Sequence, residues 1–145
     1  MEGSFFDDVL DVVRGFVADV PGRVQGSAHR RGLKLWFDDA TREHYEAQLI
    51  RVDGAVVLEV GFHSEHPKVE ANEAVLARFG AAEKAWRKQL GKEPVAGDFH
   101  GDRPWRRVSE IWPAPEPDDV DAVIEVAARL AEYAHALEPL RRSAR

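Results

Sequence analysis

The chain has 145 residues, a formal net charge of −6 and no cysteine, which suits one domain spanning residues 1–145 with its own core and excludes disulfides, thiolate metal sites and cysteine nucleophiles. Net negative charge opposes approach to a polyanion, so no nucleic-acid role is expected, and the basic clusters Arg30-Arg31, Arg106-Arg107 and Arg141-Arg142-Ser143-Ala144-Arg145 read as solvated surface. No apolar run approaches the roughly 20 residues of a membrane span and Met1-Glu2-Gly3-Ser4 lacks the basic region of a secretory signal, so the expectation is a cytoplasmic protein with no membrane contact.

From Ser4 to about Asp19 the apolar residues Phe5, Phe6, Val9, Val13, Phe16 and Val17 recur at helical spacing. Ser4 with Asp7 three residues on forms a capping-box pattern, and Pro21-Gly22 stops the helix. The polar face of this helix is acidic, which favours core packing over a membrane anchor. Residues 22–30 read as a polar connection, and the spacing of Gly22, Gly26 and Gly32 matches no phosphate-binding loop.

Gly32 to Phe37 alternates as a strand and leads through a short polar link into the most informative stretch, Glu43 to His63. Asp53-Gly54 suits a two-residue type I′ turn, which needs positive φ at both positions. If Val52 pairs with Ala55, then Ile50 meets Val57, Leu49 Leu58, Gln48 Glu59, Ala47 Val60, Tyr45 Phe62 and His44 His63. Tyr45, Ala47, Leu49, Leu58, Val60 and Phe62 then share a buried face, and His44, Glu46, Gln48, Glu59 and His63 share the other. Pairing Phe37 with Glu43 adds Leu33 and Leu35 to the first face and sets Lys34 opposite Glu46 and Trp36 opposite His44. Gly61, opposite Glu46, marks room for another backbone or a ligand.

Beyond Pro67 the pattern predicts one long helix to Leu90, with Gly91 as its stop and Gly80 packed closely inside it. Residues 91–104, including Phe99-His100-Gly101-Asp102, read as a loop. Trp105 to Trp112 reads as an edge strand, Pro113 to Pro117 as a stiff connector, and Asp118 or Asp119 to about Leu137 as the last helix. The expected fold class is therefore α+β: an N-terminal helix, an antiparallel three-stranded meander, a long helix, an edge strand and a C-terminal helix, with the helices packed on one sheet face.

The chemistry concentrates on the polar sheet face. Trp36, His44, Glu46, Glu59 and His63 form the candidate surface for a protein partner or small ligand, and a non-enzymatic binding or interaction domain, expected as a homodimer, is the leading reading. The alternative is a small metal-binding protein or hydrolase-type enzyme using His44, His63, Glu65 and His66; two imidazoles and a carboxylate suit zinc or non-haem iron, although the spacing is no recognised metal motif. The identity of any cofactor is left open by the sequence, and the serines lack a nucleophile elbow.

The succession of elements, with Phe79 to Gly91 closing a helix on Leu90-Gly91, resembles uncharacterised bacterial domains, some found beside nuclease domains. The preponderance of arginine over lysine, fifteen to five, fits a GC-rich bacterial genome. The helix, three strands, helix and strand also resemble the core of restriction-endonuclease-like folds. That resemblance implies an acidic residue, one spacer and lysine on the third strand, whereas Glu59 is followed by Val60 and Gly61, so metal-dependent nuclease chemistry is not expected. Type III secretion chaperones are similar in size, acidity and element order, with no shared motif.

Overall fold

The computed structural model describes residues 4–99 and 103–143; Met1 to Gly3, the loop positions His100 to Asp102 and the terminal Ala144-Arg145 lie outside the described residues. The elements in chain order are α1 (Phe5–Phe16), β1 (Val24–His29), β2 (Gly32–Phe37), β3 (Glu43–Val52), β4 (Ala55–Ser64), α2 (Val69–Ala81), α3 (Glu83–Leu90), β5 (Val95–Asp98), β6 (Arg106–Pro113) and α4 (Val120–Arg142). All six strands form one antiparallel sheet in the order β1-β2-β3-β4-β6-β5. Among the described residues no helix is long and apolar enough to cross a membrane.

This corrects the expected three-stranded meander with an edge strand and three helices packed on one sheet face: among the described residues the sheet has six strands and there are four helices. The polar connection at 22–30 contains β1, joined to β2 by Arg30-Arg31 with His29 paired to Gly32. That turn carries none of the Gly, Asn or Asp residues that announce a tight hairpin, and Gly26 and Ser27 weaken the strand pattern. Gly26 is needed there, because a Cβ would stand 2.7 Å from Leu10 Cδ1 and 2.9 Å from the Lys34 carbonyl oxygen. The loop at 91–104 contains β5, only four residues long, so the strand foreseen at the edge is interior, between β4 and β5. The long helix breaks at Ala82. Gly80, expected to pack closely, is exposed with nothing near its Cβ position; the break turns Trp86 into the core, where its indole N–H donates to the Phe79 carbonyl at 2.9 Å.

The β3–β4 hairpin has the register read from the sequence, from Val52↔Ala55 through His44↔His63, with Asp53 and Gly54 at φ 52° and 81°. The β2–β3 ladder includes Lys34↔Glu46 and Leu35↔Tyr45 and ends there, so Trp36 with His44 and Phe37 with Glu43 are not part of it. Leu33, Leu35, Phe37, Tyr45, Ala47, Leu58, Val60 and Phe62 are buried in one cluster with α1 and α4 residues such as Phe6, Val9, Val126, Leu130 and Leu137. Ser4 caps α1 through the expected capping box with Asp7, and Asp119 caps α4 by accepting from the Ala122 N–H at 3.1 Å.

Two buried carboxylates tie α4 to the sheet. Glu138 accepts from the Tyr45 hydroxyl at 2.8 Å and from both the Nε and a terminal nitrogen of Arg141, at 2.8 and 2.7 Å. Glu110 on β6 accepts from the Tyr133 hydroxyl at 2.6 Å, from the Arg129 guanidinium at 2.8 and 3.1 Å, and from the Trp112 indole at 2.7 Å. Burial would raise the Glu110 carboxyl, but these donors, Arg129 first, outweigh burial and hold it below its ordinary value. A depressed native value means stability that is present above the unfolded-state value, about 4.3, and is lost as pH falls through the native one. Glu110→Gln is therefore expected to cost about 2 kcal/mol at neutral pH. Urea unfolding across the acid range checks it: the gap to the native protein should close as pH falls, and a pH-independent gap would refute the electrostatic account.

Candidate functional site

The sheet face that carries His44, Glu46, Glu59 and His63 is not open to water. These four side chains are 1%, 5%, 0% and 1% exposed, although strand alternation alone predicts a solvated surface. The hairpin register sets His44 beside His63, with ring centroids 5.7 Å apart. The Phe99 ring lies 4.8 Å from that of His63, and the Arg107 guanidinium stands over Phe99 at 5.7 Å.

His44 Nδ1 lies 3.0 Å from the Thr41 carbonyl oxygen. A carbonyl only accepts, so this nitrogen carries the proton and Nε2 faces inward, 2.9 Å from Glu46 and 3.9 Å from Glu65. His63 is arranged in the opposite sense. Its Nε2 donates to Glu59 at 2.6 Å, and Nδ1 faces inward, 3.0 Å from Glu46 and 3.1 Å from Glu65. Glu59 is itself fixed by the Gln48 side-chain amide at 3.0 Å and by the Ser109 hydroxyl. One donor atom from each of His44, Glu46, His63 and Glu65 can be chosen so that all lie within 4.8 Å of one another.

For Glu46, Glu59, His63 and Glu65 burial disfavours the charged form, and the mutual contacts win. Glu46 is held well below the usual carboxylate range: burial would raise it, but hydrogen bonds from His44 and His63 outweigh that. Glu59 and Glu65 are lowered against the same opposition, by His63 foremost. The His63 imidazole, which burial would push down, is raised well above its ordinary value by the Glu59 charge and by hydrogen bonds to Glu46, Glu59 and Glu65. Lys34 reaches the rim, 3.9 Å from Glu65.

Of the sequence-derived candidates, His44, Glu46, Glu59, His63 and Glu65 come together. His66 does not join them; its Nε2 pairs with Glu43 at 2.6 Å. Trp36 is half-buried on β2, where it pairs with Gln25 of β1. The sequence groups Glu46 with the two histidines on one face, and the side-chain directions add that both rings turn to it. The Gln48–Glu59 pairing could be read from the register. The roles of Thr41, Ser109 and Phe99 could not, since each reaches the site from a loop or from β6. The chain matches no family model, no curated protein and no solved structure.

Gly61 sits between Glu59 and His63 on β4 and opposite Ser109 on β6. A Cβ there would collide with the Val108 carbonyl oxygen and stand 2.5 Å from Ser109 Cα. The room that a strand glycine signals is thus filled by the neighbouring backbone, close enough for the Ser109 hydroxyl to reach Glu59. Gly61→Ala must push β6 off β4, and we expect a loss of about 2–3 kcal/mol in chemical unfolding. A variant as stable as the native protein would show that the strands have slack at this point.

Proposed function

We propose that this domain binds one divalent transition-metal ion between His44, Glu46, His63 and Glu65. The observation that carries the reading is direction: each imidazole donates its outer N–H to a fixed acceptor, Thr41 or Glu59, and aims its inner nitrogen at the same two carboxylates. Metal-ligating histidines are held in this way, with a carbonyl or carboxylate behind the ring setting tautomer and orientation. The inner contacts of 2.9, 3.0, 3.1 and 3.9 Å bracket the roughly 3.3 Å between ligands that tetrahedral bonds of about 2.0–2.1 Å require. Two nitrogens with two oxygens suit zinc or ferrous iron better than calcium or magnesium, which prefer shells of oxygen.

Untagged protein stripped with a chelator and titrated with zinc is expected to take up one equivalent, read by elemental analysis, and to gain about 2.7 kcal/mol at a hundredfold excess of free zinc over Kd. Glu59→Gln, behind His63, should weaken binding about 10–100-fold, and His63→Ala should abolish it. Stoichiometry near zero with unchanged melting of the native sequence would end the metal reading.

A second reading keeps the outer part of this face for a protein partner, a second copy of the chain foremost. It is favoured by Ile111, Val52 and Val95, which are 47%, 41% and 52% exposed. The register puts Ile111 beside Glu59 and Val95 beside Ser109, on the side of the sheet that bears the cluster. Light scattering should then report a dimer that Ile111→Asp converts to a monomer with metal uptake retained; a monomer at every concentration would remove this reading.

A further inference from the structure

A cavity of about 600 Å³ lies between the start of α1, the β1–β2 turn and the proline connector. That volume is within the range of small-molecule sites, roughly 300–1,000 Å³. Phe5, Phe6, Leu49 and Pro115 line it with apolar surface, and Arg30 and Arg31 line it from the turn. Phe5 and Phe6 meet edge to face at 5.2 Å, which gives the apolar lining a fixed shape.

The two arginines supply the second part of the argument. Among the described residues the arginines in ion pairs are Arg23, Arg87, Arg106, Arg129, Arg141 and Arg142. Arg30 and Arg31 are exposed and have no carboxylate partner among those residues; Arg31 reaches only the Leu49 carbonyl, at 3.5 Å. Asp118 also lines the cavity and makes no ion pair with them. In a chain of net charge −6, two adjacent uncompensated guanidiniums beside an apolar cavity form a local exception to the overall field. A guanidinium fork matches a carboxylate in two hydrogen bonds.

We infer that this cavity is a binding site for an amphiphilic monoanion, a free carboxylate with an unbranched apolar tail, its head on Arg30 and Arg31 and its tail against Phe5, Phe6 and Leu49. The site is independent of the metal reading, because it shares no residue with the cluster.

Calorimetric titration of chelator-treated protein with decanoate, below the concentration at which it aggregates, tests the inference. One-to-one binding is expected, with octanoate about tenfold weaker because two fewer methylenes are buried. Decanol, which has the same tail and no charge, should bind about tenfold more weakly than decanoate. That advantage should vanish in Arg30→Gln/Arg31→Gln and in Arg30→Glu/Arg31→Glu, both on an exposed turn, with far-ultraviolet circular dichroism confirming the fold. Absence of saturable binding, equal affinity for decanoate and decanol, or a carboxylate advantage that survives either double substitution would each overturn it.

Discussion

An antiparallel hairpin closed by a two-residue turn has a single register, and a shift of one position would carry every side chain to the opposite face. Here the positive φ of Asp53 and Gly54 closes that turn. Further along the two strands, the same register delivers His44 next to His63 and Glu46 next to Gly61. The apolar half of the alternation supplies Tyr45, Leu58, Val60 and Phe62 to the core, so slipping the strands to separate the imidazoles would also expose the core. The hydrophobic effect therefore enforces the geometry of the polar cluster, and the cluster need not hold itself in place.

Stability alone does not explain the cluster. Replacing a whole buried ionic set by well-packed apolar residues is often neutral or stabilising, whereas removing one member typically costs about 3–5 kcal/mol through the charge left behind. A sheet face with no other requirement could have been finished with valine and isoleucine, as it is nearby at Ile50 and Val57, which are half-buried. Instead three carboxylates and two imidazoles are gathered, and the outer groups of His44, His63 and Glu59 have dedicated partners: Thr41 for His44, Glu59 for His63, and Gln48 and Ser109 for Glu59. Partners of this kind lower the cost of burying a polar network, and they leave the inner nitrogens of both rings directed at Glu46 and Glu65 between the two strands.

What the sequence revealed and what it hid follow from the range of the forces concerned. Turn chemistry and period-two alternation act over a few residues, so the β3–β4 register, the Ser4 cap and the face shared by His44, Glu46, Glu59 and His63 could be read directly. β1 escaped because an edge strand with Gly26 and Ser27 needs little apolar pattern, and because Arg30-Arg31 turns without the residues that favour positive φ. β5 is held by pairing to β6, a tertiary effect with no local signature in four residues. The helix break at Ala82 depends on Trp86 finding the Phe79 carbonyl and the core together. Burial of the polar face was hidden for the same reason: Phe99 arrives from thirty-six positions beyond His63 in the sequence, and no periodicity within either segment announces their contact.

The source of the four inner donors bears on what a bound ion would do. His44 and Glu46 come from β3, His63 from β4, and Glu65 from the residue immediately beyond β4. The next residues are keyed by Asn72 of α2, which accepts from the Ser64 hydroxyl and the His66 N–H, both at 2.8 Å, and donates to the carbonyls of His66 and Pro104, at 2.9 and 2.8 Å. On the proposed reading, four protein donors would fill a tetrahedral shell and leave no open position for water or substrate, which is the pattern of structural rather than catalytic sites. An ion held there would tie the end of the hairpin to the start of α2 and, through Asn72, to the segment before β6. Its free energy of binding would then be spent on ordering that junction, so ion occupancy would be reported at the helix rather than in a reaction.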